Sequence, residues 1–307
     1  MNLPAPRRMY GRYALLSLGI AGLAMAGVFY KLASAPVITI VAYRMAMATT
    51  LMLPLLWISR GSSNQQRQST FQRADLVATA LSGTLFALDV GLWAWSLQFT
   101  SVSSAALLVS MDPILVAIFG AIFLRERPTI VMIAGMAVAA CGAVVITAGD
   151  VHVSGRALIG DALALSAAFA ETGYLLLGRH VRQRVDTLRY AGVVYAACAV
   201  CLWLMLGALH APLRISSHDV LVCLALALVA TVVGHTLVSR SLGVMPAVVV
   251  AVSFLSQPIM TASFARLFLH EAIPFVTALG GIIALVGIGI VAFANERTVE
   301  QGPPAGI

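Results

Sequence analysis

Charge is what this 307-residue sequence has least of: Asp, Glu, Lys and Arg together make up 10% of it, and Lys31 is its one lysine. A soluble domain carries charge on about a quarter of its residues, so a wholly water-facing surface is excluded. Hydrophobic residues supply 60% of the chain and the mean hydropathy is +0.96. The net charge of +7 does not point to nucleic acid, because the arginines sit mostly in short connections between apolar runs. Orientation in a bilayer explains them better. Cysteine is scarce too. Cys141, Cys198, Cys201 and Cys223 all fall inside apolar runs, and the CxxC spacing of Cys198 and Cys201 has neither a second pair nor a nearby histidine. Neither a metal nor a redox site is expected. The sequence also lacks GxxxxGK[ST], HExxH, GxSxG and any paired acidic metal motif, so ATP-driven pumping and membrane-enzyme chemistry have no foothold. No enzymatic activity and no cofactor are expected.

What the sequence has is long apolar runs, at about 13–31, 36–58, 76–98, 103–124, 129–147, 159–178, 188–209, 219–241, 247–269 and 275–294. About 20 residues of helix cross a hydrocarbon core, so these runs predict an all-α integral membrane protein with ten transmembrane helices. Arg7, Arg8 and Arg12 before the first run imitate a signal peptide, but no clean cleavage site follows; an uncleaved first helix is expected. The segment 59–73 is polar, the tail after Asn295 is expected to be unstructured, and no stretch forms a separate soluble domain.

The chain repeats itself. Shifted by 145 positions, Pro113–Gly142 meets Pro258–Gly287 with 11 identities in 30 positions, where this composition should give roughly three. Each copy is an apolar helix interrupted by proline (Pro113, Pro258), a charged corner ending in glutamate (Glu126, Glu271), and a second helix carrying glycines seven residues apart (Gly135 and Gly142, Gly280 and Gly287). Such glycines share a helical face and allow close backbone approach to a neighbouring helix. The two glutamates precede new helices, where a carboxylate complements the dipole; a structural corner and cap role is expected. With the N-terminus cytoplasmic, fourteen arginines fall in inside segments, against Lys31, Arg156, Arg214 and Arg266 outside. Five helices per half is an odd number, so the halves, 1–150 and 151–307, are expected as inverted repeats around a central cavity.

Polar residues inside the runs need an account, because a charge at the centre of a membrane helix costs about 2.5–3.5 kcal/mol on insertion scales. Arg44, Asp89 and Asp112 lie in the second, third and fourth runs; a structural ion pair of Arg44 with Asp89 or Asp112 is expected. Phe86, Asp89, Trp93 and Ser96 share one helical face. An acid beside a tryptophan suits an ammonium group, or else is a paired acid on a packing face. Glu171 has no cation nearer than Arg179 in its own helix, and Tyr174 follows one turn on. Desolvation there penalises the bare carboxylate, so Glu171 is either a proton carrier or a protonated packing residue. Thr231, His235 and Ser239 make a polar stripe in the eighth run, and Ser253, Ser256 and Gln257 lie near Pro258. His235 reads as a hydrogen-bonding lining residue rather than a metal ligand. Tyr43, Phe86, Asp89, Trp93, Glu171, Tyr174, His235 and Gln257 form the candidate substrate lining; Glu171, Asp89 and Asp112 are the candidate coupling residues.

The paired P-x(12)-E corners, the glycines after them and the run SLGVMPAVVVAVSFLSQPI (241–259) make the chain resemble the EamA-type ten-helix exporters of the drug/metabolite transporter superfamily. The resemblance covers nearly the whole chain. It implies two interleaved five-helix halves around a cavity, helices five and ten at the periphery, and export of amino acids or other small metabolites or toxic compounds. Asp112-Pro113 departs from the pattern, where an uncharged or amide residue like Gln257 is expected. The run AETGYLLLGR (170–179) also resembles the first helix of the small multidrug transporters. A secondary transporter in the bacterial inner membrane follows, with both termini cytoplasmic. Its expected activity is proton-coupled efflux, amino acid export foremost, with a uniporter or importer of another metabolite, or efflux of a toxic cation, as the alternative. A small-molecule substrate and membrane lipid are the expected partners, and a monomer the expected state.

Overall fold

The structure, a computed structural model, describes residues 6–61, 72–100, 102–126, 128–147, 157–270, 273 and 275–301. Among them there is helix and no strand. In chain order the helices are α1 (Pro6–Leu32), α2 (Val37–Gly61), α3 (Arg73–Ser96), α4 (Val102–Val109), α5 (Asp112–Phe119) with a π-turn at Gly120–Leu124, α6 (Ile130–Thr147), α7 (Ala157–Arg182) and α8 (Thr187–Ala208). Then come α9 (Ser217–Ala225), a π-helical segment Leu226–His235, α10 (Thr236–Leu242), α11 (Ala247–Phe254), α12 (Gln257–Leu269) and α13 (Phe275–Gln301). Every apolar run is therefore helical, though not every one is an unbroken span. Among the described residues, 7 helices are long and apolar enough to cross a membrane. The fourth run is broken at Ser110–Met111, the fifth is short, and α7 is diluted by Asp161 and Glu171. The tail departs from expectation: α13 runs past Asn295 to Gln301. Glu271, the connection 62–71 and the junction of the halves at 148–156 lie outside the described residues.

The duplication is written in the backbone. The fourth and ninth runs break at corresponding places, and α5 and α12 restart at Asp112 and Gln257, 145 residues apart, each followed by proline. Their far ends match as well. Arg125 and His270, again 145 apart, both adopt the left-handed conformation with φ 57°, which non-glycine residues adopt only rarely. The amide of Arg125 donates to Gly120 O and that of His270 to Ala265 O, so the same terminal turn is built twice.

The seam between α6 and α13 gives the relation of the copies. A Cβ on Gly142 would lie 2.4 Å from Ala284 N, and one on Gly287 would lie 2.3 Å from Ala139 N. Gly135 faces Gly287 and Val291, whereas Gly142 faces Gly280 and Ala284. Position falls on one helix as it rises on the other, so these corresponding helices are antiparallel and the repeats are inverted. The same holds for α2 and α8, where Tyr43 meets Trp203 and Leu56 meets Gly192. The halves interleave: α3 packs on α7 and α8, and α1 on the π segment, α10 and α12. Asp219 in the first turn of α9 ties the corner between α1 and α2 to the second half, accepting from Ser34 N at 2.8 Å and Ser34 Oγ at 2.7 Å.

In lipid no hydrophobic drive separates helix from helix, so close backbone packing carries the association. Gly142→Val and Gly287→Val should each lower the melting temperature in detergent, by an overpacking cost of about 1–3 kcal/mol. Gly289→Ala, on α13 with nothing within 4 Å of its added carbon, should leave it unchanged.

Candidate functional site

The helix breaks surround a cavity of about 800 Å³. It takes residues from α1, α2, α3, both sides of the α4–α5 break, α7, the end of the π segment, and both sides of the α11–α12 break. Irregular backbone at membrane depth is tolerated where it lines such a space. Lys31, Val37 and Leu97 place the mouth at the end of the bundle where α1 stops and α2 starts.

The cavity carries polar groups of both signs. Asp89 on α3, Asp112 at the start of α5 and Glu171 on α7 all line it and lie within electrostatic range of one another. Asp112 is buried, with Oδ1 accepting from Thr172 Oγ1 at 2.6 Å, while its Oδ2 is buried without a partner. Lys31 and Arg44 lie on the α1–α2 side, where Trp93 approaches Tyr30 with ring centroids 6.4 Å apart. His235 and Gln257 add to the polar lining, with Ser110, Thr261 and Thr277, and His235 Nδ1 is buried without a partner.

The expected ion pair of Arg44 is corrected. Its Nε donates to Thr231 Oγ1 at 2.7 Å and its Nη1 to Tyr30 Oη at 2.8 Å, and no carboxylate comes within 4.0 Å of it among the described residues. The reason is geometric. Arg44 turns toward α1 and the π segment, whereas Asp112 is held by Thr172 on α7. Asp89 feels the guanidinium only at a distance.

Other residues of the expected lining lie elsewhere. Tyr43 donates to Leu213 O at 2.8 Å and packs edge-on against Trp203. Phe86 and Tyr174 are buried next to the cavity, with centroids 4.9 Å apart, and Phe86 meets the His235 ring at 4.6 Å. They support the histidine rather than line the space. Tyr30 and Thr172, both close partners of site charges, were not picked out in the sequence. The readable signal was a hydroxyl beside a charge in an apolar run, Tyr30 before Lys31 and Thr172 after Glu171.

The end opposite the mouth is held shut by polar contacts between the halves. Glu126 Oε1 accepts from Arg179 Nε at 2.7 Å, and Oε2 accepts from Ala247 N, in the first turn of α11, at 3.1 Å. The cap role is thus real but directed to α11 in the other half, not to α6. Arg179 Nη1 also donates to Leu242 O at 3.0 Å, and Ser82 Oγ meets Tyr190 Oη at 2.6 Å.

The family model for "EamA-like transporter family" matches residues 12–148 and again 158–293. The chain belongs to the EamA-like transporter family. It is 25% identical over 252 residues to an Archaeoglobus fulgidus protein named an uncharacterized transporter, covering 80% of this chain and 84% of that one. The fold of a solved protein crystal structure is shared as well, with a TM-score of 0.79, 16% identity, and coverage of 94% and 99% of the two chains. The cavity is thus the central space of an EamA transporter, a multi-pass membrane protein. Within it, Thr172→Val should leave both Asp112 oxygens without a donor. A stability loss of about 1–3 kcal/mol is expected, read as a lower melting temperature in detergent.

Proposed function

We propose that the protein is a proton-coupled exporter of amino acids or related small metabolites, working in the bacterial inner membrane with both termini in the cytoplasm. The observation that carries this reading is a cavity lined by three carboxylates and two cations, between two inverted repeats. Asp89 beside Trp93 suits a substrate ammonium, and His235 and Gln257 supply hydrogen-bonding groups to the same cavity. Phe86 and Tyr174 act behind His235; Tyr43, facing Trp203, acts outside the cavity. Toxic-cation efflux is a second reading, favoured by the three carboxylates.

Coupling is assigned to Glu171, with Asp89 and Asp112 as partners. Three acids sharing one low-dielectric space favour having a proton among them, and a cationic group of the substrate competes for the same charge. Binding either one weakens the other, which links the two fluxes. Glu171→Gln keeps shape and hydrogen bonding but cannot cycle a proton. In liposomes with an imposed pH gradient it should lose uphill accumulation while keeping part of the downhill exchange; accumulation equal to wild type would make Glu171 a packing residue. Uptake tested against amino acids and toxic cations, with and without the gradient, separates the two readings. Orientation is tested in a cysteine-free background, where single cysteines at Ser62 and Val153 should react with impermeant reagents from opposite sides.

A further inference from the structure

Arg44 is a buried guanidinium, 4% exposed, in the wall of a membrane cavity, and its hydrogen-bond partners are both neutral hydroxyls. A guanidinium has five N–H donors. Here Nε and Nη1 are engaged by Thr231 and Tyr30, and Nη2 has no partner among the described residues. Both hydroxyls are held in place. Thr231 Oγ1 donates to Leu226 O at 3.4 Å, which leaves its lone pairs for Arg44, and Tyr30 sits beside Trp93. The arrangement fixes the arginine from both halves of the molecule and leaves its charge uncompensated at contact distance. Such a group would ordinarily take a carboxylate partner. Asp89 faces the same cavity within electrostatic range but beyond 4.0 Å.

We propose that Arg44 is the carboxylate subsite of the transported molecule. Its free Nη2 binds one pole of a zwitterion while Asp89, lining the same cavity, faces the ammonium pole. The inference rests on the amino-acid reading above and makes it sharper: the ligand carries both charges on neighbouring carbons, and a molecule with a blocked carboxylate is discriminated against. Arginine suits this role because it stays charged and its free Nη2 still offers charge-assisted N–H donors to a carboxylate.

The test uses the full-length protein in proteoliposomes. Wild type is first given the twenty amino acids, and the best of them is then compared with its methyl ester, which keeps the ammonium and blocks the carboxylate. Wild type should prefer the acid at least tenfold. Arg44→Gln should lower apparent affinity for the acid at least tenfold and for the ester less than twofold, with Arg44→Lys in between. Equal losses for acid and ester, or no loss, would overturn the subsite. Should Arg44→Gln fail to fold, wild-type transport of the ester as well as the acid still overturns it, and preference for the acid together with reduced preference in Arg44→Lys supports it. If wild type carries no amino acid, the amino-acid reading fails by itself. A 2-oxo acid, a carboxylate without the ammonium, is then the probe: transport that depends on Arg44 keeps the subsite, and its absence overturns both.

Discussion

Backbone amides and carbonyls cannot be left bare in hydrocarbon, and the positions of this chain's irregularities follow from that constraint. The helix breaks before Asp112-Pro113 and Gln257-Pro258 free carbonyls that a lipid-facing helix would have nowhere to satisfy. Both breaks line the cavity, and so does the end of the π segment at His235. The cavity is therefore both the cause and the consequence of the repeat: duplicating one proline-broken helix supplies two breaks, and inverting the copies brings them face to face. π-helical insertions recur at functional sites because they re-aim side chains that regular winding would hide. Here the segment places Thr231 on Arg44 and His235 on the cavity.

The same solvent leaves helix association to close contact. The α6–α13 seam, with glycine against backbone, is a rigid antiparallel pair whose outer side carries exposed apolar residues such as Ile130 and Ile282. Against that dry seam the closed end of the cavity is held differently. One carboxylate, Glu126, meets Arg179 and the first turn of α11, joining three elements through hydrogen bonds that water can replace. The halves are thus joined by two kinds of contact, dry backbone packing along α6 and α13 and polar contacts at Glu126.

Much of this was legible in the sequence because it depends on local pattern. Glycine spacing, the paired prolines and the ten apolar runs announce helices, breaks and duplication without knowledge of neighbours. Asp89, Trp93, Asp112, Glu171, His235 and Gln257 share one cavity because each is too polar for lipid and must face inward. Contacts were less legible. Arg44 was expected beside Asp89 or Asp112, since cost alone says only that a buried guanidinium needs partners. Which partners depends on the rotation of α2 against the second half. Glu126 stands before α6 in sequence, yet its reach to α11 follows from the interleaving of halves. Nothing in LALVATVVGH signals ten residues of π winding, and without that winding the place of Thr231 cannot be read.

The absence of a direct pair between Arg44 and the cavity acids, among the described residues, follows from these contacts. Had Arg44 paired directly with Asp89, the two would satisfy each other and a ligand would have to break the pair before binding. With Thr231 and Tyr30 holding the arginine, and Thr172 holding Asp112, hydroxyls take up the hydrogen-bonding demand without neutralising the charge. The proposed zwitterion would then meet charges of both signs without first displacing an internal ion pair.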